Sequence, residues 1–268
     1  PGTVTDMEYA LKKYGTQKRA DLIAPSIALA EKGFVLKQGD VTLLHEATED
    51  FRKNKVTAPI FLKDGQPMQV GDKLVQADLG KTLRAISQHG NDGFYKGPVA
   101  HALVESMKEG KVLITHQDLA KYHVREMAPI ECSYRGYGVV SAPPPSSGGT
   151  TICQMLNTLE GYNLKEMGWH SAAATHVMIE AMRHAYVDRN SYLGDPDFVK
   201  NPVDRLTSKA YAEKIRAAID PNKAGISKDL KPGVAPHEGN NTTHYSIVDK
   251  WGTAASVTST PTAWSGPR

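Results

Sequence analysis

Apolar residues recur at helical spacing through much of the first 125 residues, and most of these stretches end at or just before a Gly. The spacing predicts helices over residues 7–14, 20–30, 79–86 and 98–107. A further helix is predicted to begin at Thr115, whose hydroxyl can cap the first turn, while Asp118 suits the positive end of the helix dipole. We therefore expect this part of the chain to be mostly helical with short connectors.

The pattern changes near residue 129. Residues 129–134 and 137–142 are rich in Tyr, Val and Ile, which predicts two strands separated by Arg135-Gly136. The segment that follows cannot form a helix interior or a central strand: Pro143-Pro144-Pro145-Ser146-Ser147-Gly148-Gly149. We interpret it as a rigid strand-to-helix connector in preference to a polyproline ligand for an SH3-like module. Beyond it, helices are predicted over residues 150–159, 171–192 and 208–219.

The last part of the chain alternates polar and apolar residues, which predicts two strands around Lys250-Trp251-Gly252. A three-residue hairpin loop favours Gly at its left-handed position, and Gly252 occupies it. If Asp249 pairs with Thr253, paired residue numbers sum to 249 + 253 = 502. That register places Thr242 opposite Thr260, at a Cα separation of about 4.5–5.5 Å that lets two hydroxyls hydrogen-bond.

Composition excludes several classes of protein. The 268 residues are 40% hydrophobic and 23% charged, which is too apolar for an intrinsically disordered chain. Lys+Arg 32 against Asp+Glu 29 gives a net charge of +3 with mixed signs, so no nucleic-acid partner is expected. No apolar run is long enough to span a bilayer. For Cys132 and Cys153, two buried thiols are favoured over a disulfide.

Thr242 is the candidate catalytic residue. It follows Asn241 at the end of a long polar loop over residues 221–241, and loops of that length are typically functional or mobile. A Thr hydroxyl is a weak nucleophile unless a base lies beside it, and cleavage before Thr242 would free its own α-amino group as that base. The alternatives are an ordinary strand Thr and a glycosylation sequon beginning at Asn240 or Asn241.

A second group of polar residues lies on the long helix predicted over 171–192. His176, Glu180 and His184 are spaced by four residues and share one face, a spacing that a metal site could use. We favour a solvated or interface stripe, and no metal or cofactor is expected.

Several motifs together resemble the γ-glutamyltranspeptidase family of N-terminal-nucleophile hydrolases, in the family's order and over nearly all of residues 1–260. The segments that carry the resemblance are Thr242-Thr243-His244-Tyr245-Ser246-Ile247-Val248-Asp249, Tyr134-Arg135-Gly136-Tyr137, the Pro-rich connector, Asp188-Arg189, Tyr192-Leu193-Gly194-Asp195-Pro196-Asp197-Phe198, Gly93-Phe94-Tyr95-Lys96-Gly97 and Pro1-Gly2-Thr3-Val4.

The resemblance implies an α/β (α+β) fold, namely an incomplete αββα sandwich with a helix-rich large-subunit portion at residues 1–241 and the start of the small subunit at 242–268. It implies autocleavage between Asn241 and Thr242, and γ-glutamyl transfer or hydrolysis of glutathione and γ-glutamyl amides by Thr242. Water or an amino acid or peptide would be the acceptor. The family's second Thr, which hydrogen-bonds the nucleophile, matches Thr260. The remainder of the small subunit would be the partner, and the location periplasmic or extracellular.

The resemblance stops after Thr260, where the family has Leu-Asn and this chain has Pro261-Thr262. Substrate-binding residues of the family are either not matched or fall outside the chain, so none is assigned and the chain alone is expected to be inactive. The chain opens on Pro1-Gly2-Thr3-Val4 with no initiator Met, so targeting information is expected to be absent from these residues, and both ends are expected to be cut. Two alternatives stay open: an amide acylase of the same superfamily, similar to cephalosporin acylase, and a non-catalytic truncated remnant.

Overall fold

The computed structural model describes residues 2–226 and 243–259, and it divides the chain into two compact units. The first contains the described residues of Pro1–Arg125 and Gly239–Arg268, and the second contains those of Glu126–Glu238. These units reflect packing, whereas the predicted boundary between residues 241 and 242 is a cleavage point, which stays a prediction.

The first unit is mainly helical, as the spacing of apolar residues predicts. Its helices are α1 (Thr3–Tyr14), α2 (Arg19–Lys32), α3 (Gln38–Glu46), α4 (Thr48–Lys53), α5 (Ala58–Phe61), α6 (Ala77–His89), α7 (Asp92–Tyr95), α8 (Gly97–Glu109) and α9 (His116–Lys121). Thr115 caps α9 as predicted: its Oγ1 accepts a hydrogen bond from the Asp118 amide, and its own amide donates to Asp118 Oδ2.

Two small antiparallel ribbons between α2 and α6 were not predicted. They pair β1 (Phe34–Val35) with β4 (Lys73–Leu74), and β2 (Leu62–Lys63) with β3 (Gln66–Pro67). Strands of two residues are too short to show alternation, so the sequence carries no signal for them. Together with α3 and α4 they enclose an apolar cluster formed by Leu36, Val41, Leu44, Ala47, Phe51, Leu62, Met68 and Leu74.

The second unit packs helices beside one antiparallel ribbon. Its elements are β5 (Ile130–Tyr134), β6 (Tyr137–Ser141), α10 (Gly148–Leu159), α11 (Leu164–Met167), α12 (Ala172–Tyr192), α13 (Val203–Leu206) and α14 (Lys209–Ala218). β5 pairs with β6, and Ser171 and Ser208 cap α12 and α14 through their side chains. The predicted strands and helices of this region are confirmed to within two residues.

A disulfide joins Cys132 of β5 to Cys153 of α10, with a Cα–Cα distance of 6.0 Å. The expectation of two buried thiols is therefore wrong. Cys153 is completely buried on the side of α10 that packs near β5, and this packing brings together two residues that are 21 positions apart. Sequence spacing alone could not decide between the two states, because it does not say which faces of β5 and α10 meet.

Candidate active site

The C-terminal hairpin has the register that the sequence predicts. β7 (Thr243–Val248) pairs with β8 (Ala254–Ser259), from Val248 opposite Ala254 to Thr243 opposite Ser259. Every pair sums to 502, since 248 + 254 = 243 + 259 = 502. The Asp249 amide donates to the Thr253 carbonyl at 3.0 Å, and Gly252 has the left-handed φ of 85° that the turn requires.

The predicted site residues Asn241, Thr242 and Thr260 lie outside the described residues. The described strands reach position 243 on one side and position 259 on the other. One further step in the same register would pair 242 with 260, so their pairing and their roles stay predictions.

Polar side chains form a ladder on one face of the hairpin, which we call the hydroxyl ladder: His244, Ser246, Ser256 and Thr258. His244 Nδ1 lies 2.8 Å from Thr258 Oγ1, and its Nε2 lies 3.1 Å from Ser246 Oγ and 3.4 Å from Ser256 Oγ. The ladder was not predicted, although the 502 register together with the two-residue alternation of strands places these residues on one face.

The Pro-rich connector runs from β6 into α10, as predicted, and it contains a cis bond between Pro144 and Pro145. Arg189 Nε of α12 donates to Ser147 Oγ at 2.8 Å, which ties the connector to the long helix. Gly149 lies so close to the Ala142 carbonyl oxygen that a Cβ there would overlap it. This close approach explains why the chain has Gly at this point.

A polar network centred on the buried Asp188 lies among α10, α12 and α14, and the spacing of apolar residues does not indicate it. The Asp188 carboxylate accepts a hydrogen bond from Gln154 Nε2 at 2.5 Å and one from the Tyr211 hydroxyl at 2.9 Å. Burial, followed by the hydrogen bond to Asp188, raises the pKa of Tyr211 to about 12. The phenol therefore stays a donor at neutral pH, and the network joins α10, α12 and α14.

The α12 stripe that we expected to be solvated or to lie at an interface is partly covered by the chain itself, since Glu180 is buried and His176 and His184 are half-buried. Glu180 is buried and accepts hydrogen bonds from Arg183 and from the Gly225 amide, and His176 Nε2 lies 2.7 Å from the Asp220 carbonyl oxygen. Burial alone would raise the pKa of Glu180, but these hydrogen bonds outweigh it and lower that pKa. Asp220 and Gly225 thus contact the polar face of α12, which the spacing of apolar residues alone would assign to solvent.

Two further observations concern metals and membranes. Across residues 2–226 and 243–259, no group of three or more His, Cys, Asp or Glu side chains has an arrangement that could hold a metal ion. Nor does any helix in this described part have both the length and the apolar character needed to cross a bilayer.

Comparison with known proteins identifies the family. A family model described as gamma-glutamyltranspeptidase matches residues 1–267. The glutathione hydrolase proenzyme of Pseudomonas sp. (strain A14) is 64% identical over 269 residues, which cover 100% of this chain and 47% of that protein. The acylase ACY 1 proenzyme of Pseudomonas sp. (strain SE83) is 38% identical, over 97% of this chain and 46% of that protein.

A solved structure agrees with these matches. Gamma-glutamyltranspeptidase from Helicobacter pylori superposes with a TM-score of 0.84 at 46% identity, over 90% of this chain and 70% of that chain. The chain belongs to the γ-glutamyltranspeptidase family. It spans about half the length of the curated relatives it matches. The predicted family and the helix-rich α+β fold of N-terminal-nucleophile hydrolases are therefore confirmed.

Proposed function

We propose that the complete protein is a self-processing γ-glutamyl transferase and hydrolase whose nucleophile is Thr242. The observation that carries the proposal is the hairpin register. The two residue numbers sum to 502 in every described pair, up to Thr243 and Ser259, which would be next to a pair at positions 242 and 260. It is supported by the family match over residues 1–267 and by the 64% identity to a glutathione hydrolase proenzyme.

The proposed chemistry begins when the Thr242 hydroxyl attacks the carbonyl carbon of Asn241 and displaces the amide nitrogen; water then hydrolyses the resulting ester, which leaves a carboxylate on Asn241 and a free α-amino group and hydroxyl on Thr242. The freed α-amino group of Thr242, with an ordinary pKa of about 7.7–8.0, then accepts the proton of its own hydroxyl. The hydroxyl oxygen attacks the γ-glutamyl amide of glutathione, and the proton passes to the departing amine. Water or the amino group of an amino acid or peptide releases the acyl group from Thr242, whose hydroxyl would be held by Thr260.

The remainder of the small subunit is the proposed partner of this portion, and export to the periplasm or the cell exterior is the proposed location. The disulfide between Cys132 and Cys153 supports the location, because disulfides persist in oxidising compartments and are rare in the cytosol.

Mass spectrometry of the full-length proenzyme tests the nucleophile. We expect the wild-type protein to yield two chains with Asn241 and Thr242 at the new ends, and to hydrolyse a γ-glutamyl anilide. Thr242→Ala should stay uncut and inactive, because it lacks the attacking oxygen, whereas Thr242→Ser should retain slow cleavage. An uncut wild-type protein, or an active Thr242→Ala variant, would contradict the proposal.

Amide acylase activity is the second candidate, favoured by the 38% identity to the acylase ACY 1 proenzyme over 97% of this chain. It would use the same nucleophile on a different acyl group. A comparison of kcat/KM for a γ-glutamyl anilide and for a cephalosporin side-chain amide separates the two. We expect the γ-glutamyl substrate to be preferred.

A further inference from the structure

The imidazole of His244 links the two strands of the hairpin at the end next to the proposed site. Its Nδ1 meets the hydroxyl of Thr258, which is the directly opposite residue, and its Nε2 meets Ser246 along its own strand and Ser256 on the other. Since a hydroxyl can donate or accept, a neutral ring with one N–H and one lone pair satisfies both sides in either tautomer.

The alternation of hydrogen-bonded and non-hydrogen-bonded backbone pairs shows why the side-chain link between His244 and Thr258 matters. Because the Asp249 amide bonds the Thr253 carbonyl, that pair is of the hydrogen-bonded type, and the types alternate along an antiparallel ribbon. His244 and Thr258 therefore form a non-hydrogen-bonded pair, in which side chains approach most closely. In the same register a pair at 242 and 260 would also have no backbone bonds of its own, so its geometry would depend on its neighbours.

We infer that His244 is a positioning residue for the nucleophile: by holding Thr258, it keeps the strand ends in the register that would bring residues 242 and 260 together. The inference rests on the function proposed above. If the strands continue in the same register, positions 242 and 260 would fall on the same face as the hydroxyl ladder, because side chains alternate along a strand. Without the imidazole, this end of the ribbon would lose the side-chain hydrogen bond that joins His244 to Thr258 across the strands, and two-stranded ribbons are only marginally stable by themselves.

The test uses the full-length proenzyme and measures the autocleavage rate, then kcat and KM of the processed enzyme. His244→Ala and Thr258→Val should each slow autocleavage and lower kcat about tenfold, as expected for losing one or two hydrogen bonds, with KM nearly unchanged. The combined variant should be no slower than His244→Ala, because both changes remove the same contact. His123→Ala removes an exposed imidazole elsewhere and should leave all three quantities at the wild-type level.

A conservative substitution distinguishes the effect of the hydrogen bond to Thr258 from a general effect of residue 244 on the stability of the strand. His244→Asn keeps a donor and an acceptor near Thr258 but has no higher strand propensity than Ala, so rescue would have to come from the hydrogen bond. We expect His244→Asn to recover most of the lost rate. If His244→Ala does not fold, Thr258→Val decides the question, since it preserves the branched shape and removes only the hydroxyl.

Wild-type rates in both His244→Ala and Thr258→Val would overturn the inference, as would failure of Asn to restore the rate. A rise in KM with kcat unchanged would overturn it too, because misplacing the nucleophile affects the chemical step. These outcomes leave the proposed function intact if the wild-type protein cleaves itself. An uncut wild-type protein would overturn the function and this inference together.

Discussion

Opening the disulfide between Cys132 and Cys153 should destabilise the second unit substantially. The bond closes a loop between residues 21 positions apart, and the loop-entropy relation assigns about 3 kcal/mol to a closed loop of that size. For a chain of this length, that loss corresponds to a fall of about 6–12 °C in melting temperature. Cys132→Ser opens the bond on the half-buried β5 side and leaves the completely buried Cys153 in place.

The assays are thermal unfolding, which measures the melting temperature, and urea unfolding, both followed by circular dichroism with and without reductant. We expect the oxidised wild-type protein to unfold at higher urea than the reduced protein, and Cys132→Ser to match the reduced protein under both conditions. The variant is thus the control for any effect of the reductant that does not involve this bond.

Two results would refute the reasoning. One is a wild-type transition that reductant leaves unchanged, which would mean that the bond is absent or contributes nothing. The other is the titration of two thiols in denatured protein that was never reduced. The second result would also remove the support that the disulfide gives to a location in an oxidising compartment.

Two further predictions concern packing and pH. A Cβ at Gly93 would overlap the Ala85 carbonyl oxygen, a backbone atom of α6 that cannot swing aside, so Gly93→Ala should lower the free energy of unfolding by about 1–3 kcal/mol in urea titrations. At Gly39 a Cβ would meet none of the described atoms within 4 Å apart from its own helix backbone and chain neighbours, so Gly39→Ala should be neutral or slightly stabilising. Equal effects of the two substitutions would contradict the argument. Burial, and then the charge of Arg183, lower the pKa of His184 against the opposing charges of Glu180 and Asp188. The unfolded chain therefore binds more protons at this site, and the free energy of unfolding should fall as the pH drops below about 6.5. His184→Gln should flatten that pH dependence in urea titrations between about pH 5 and 7, and an unchanged slope would count against the argument.

Local patterns predicted much of this fold. The helices of ten or more residues follow from apolar spacing, most of them with a Gly at or just after their ends, and the short α9 follows from its cap at Thr115. These signals act within a few residues along the chain. The hairpin register follows from a single turn, because Gly252 and the count along two strands determine every pair up to Thr243 and Ser259. The position of the candidate nucleophile, one pair beyond Thr243 and Ser259, stays a prediction, and its role rests on the argument from a freed α-amino group and on the family's motifs.

What the sequence by itself determined is thus the helices of ten or more residues, the strands β5 and β6, and the order of the residues along the hairpin. Tertiary structure alone decided that Cys132 meets Cys153, that Gln154 and Tyr211 converge on Asp188, and that the Gly225 amide bonds the buried Glu180. These contacts join residues far apart in the chain, and they depend on which faces of the helices and strands pack together. Periodicity shows that an element has a buried face, but it does not show which distant residue lies against it.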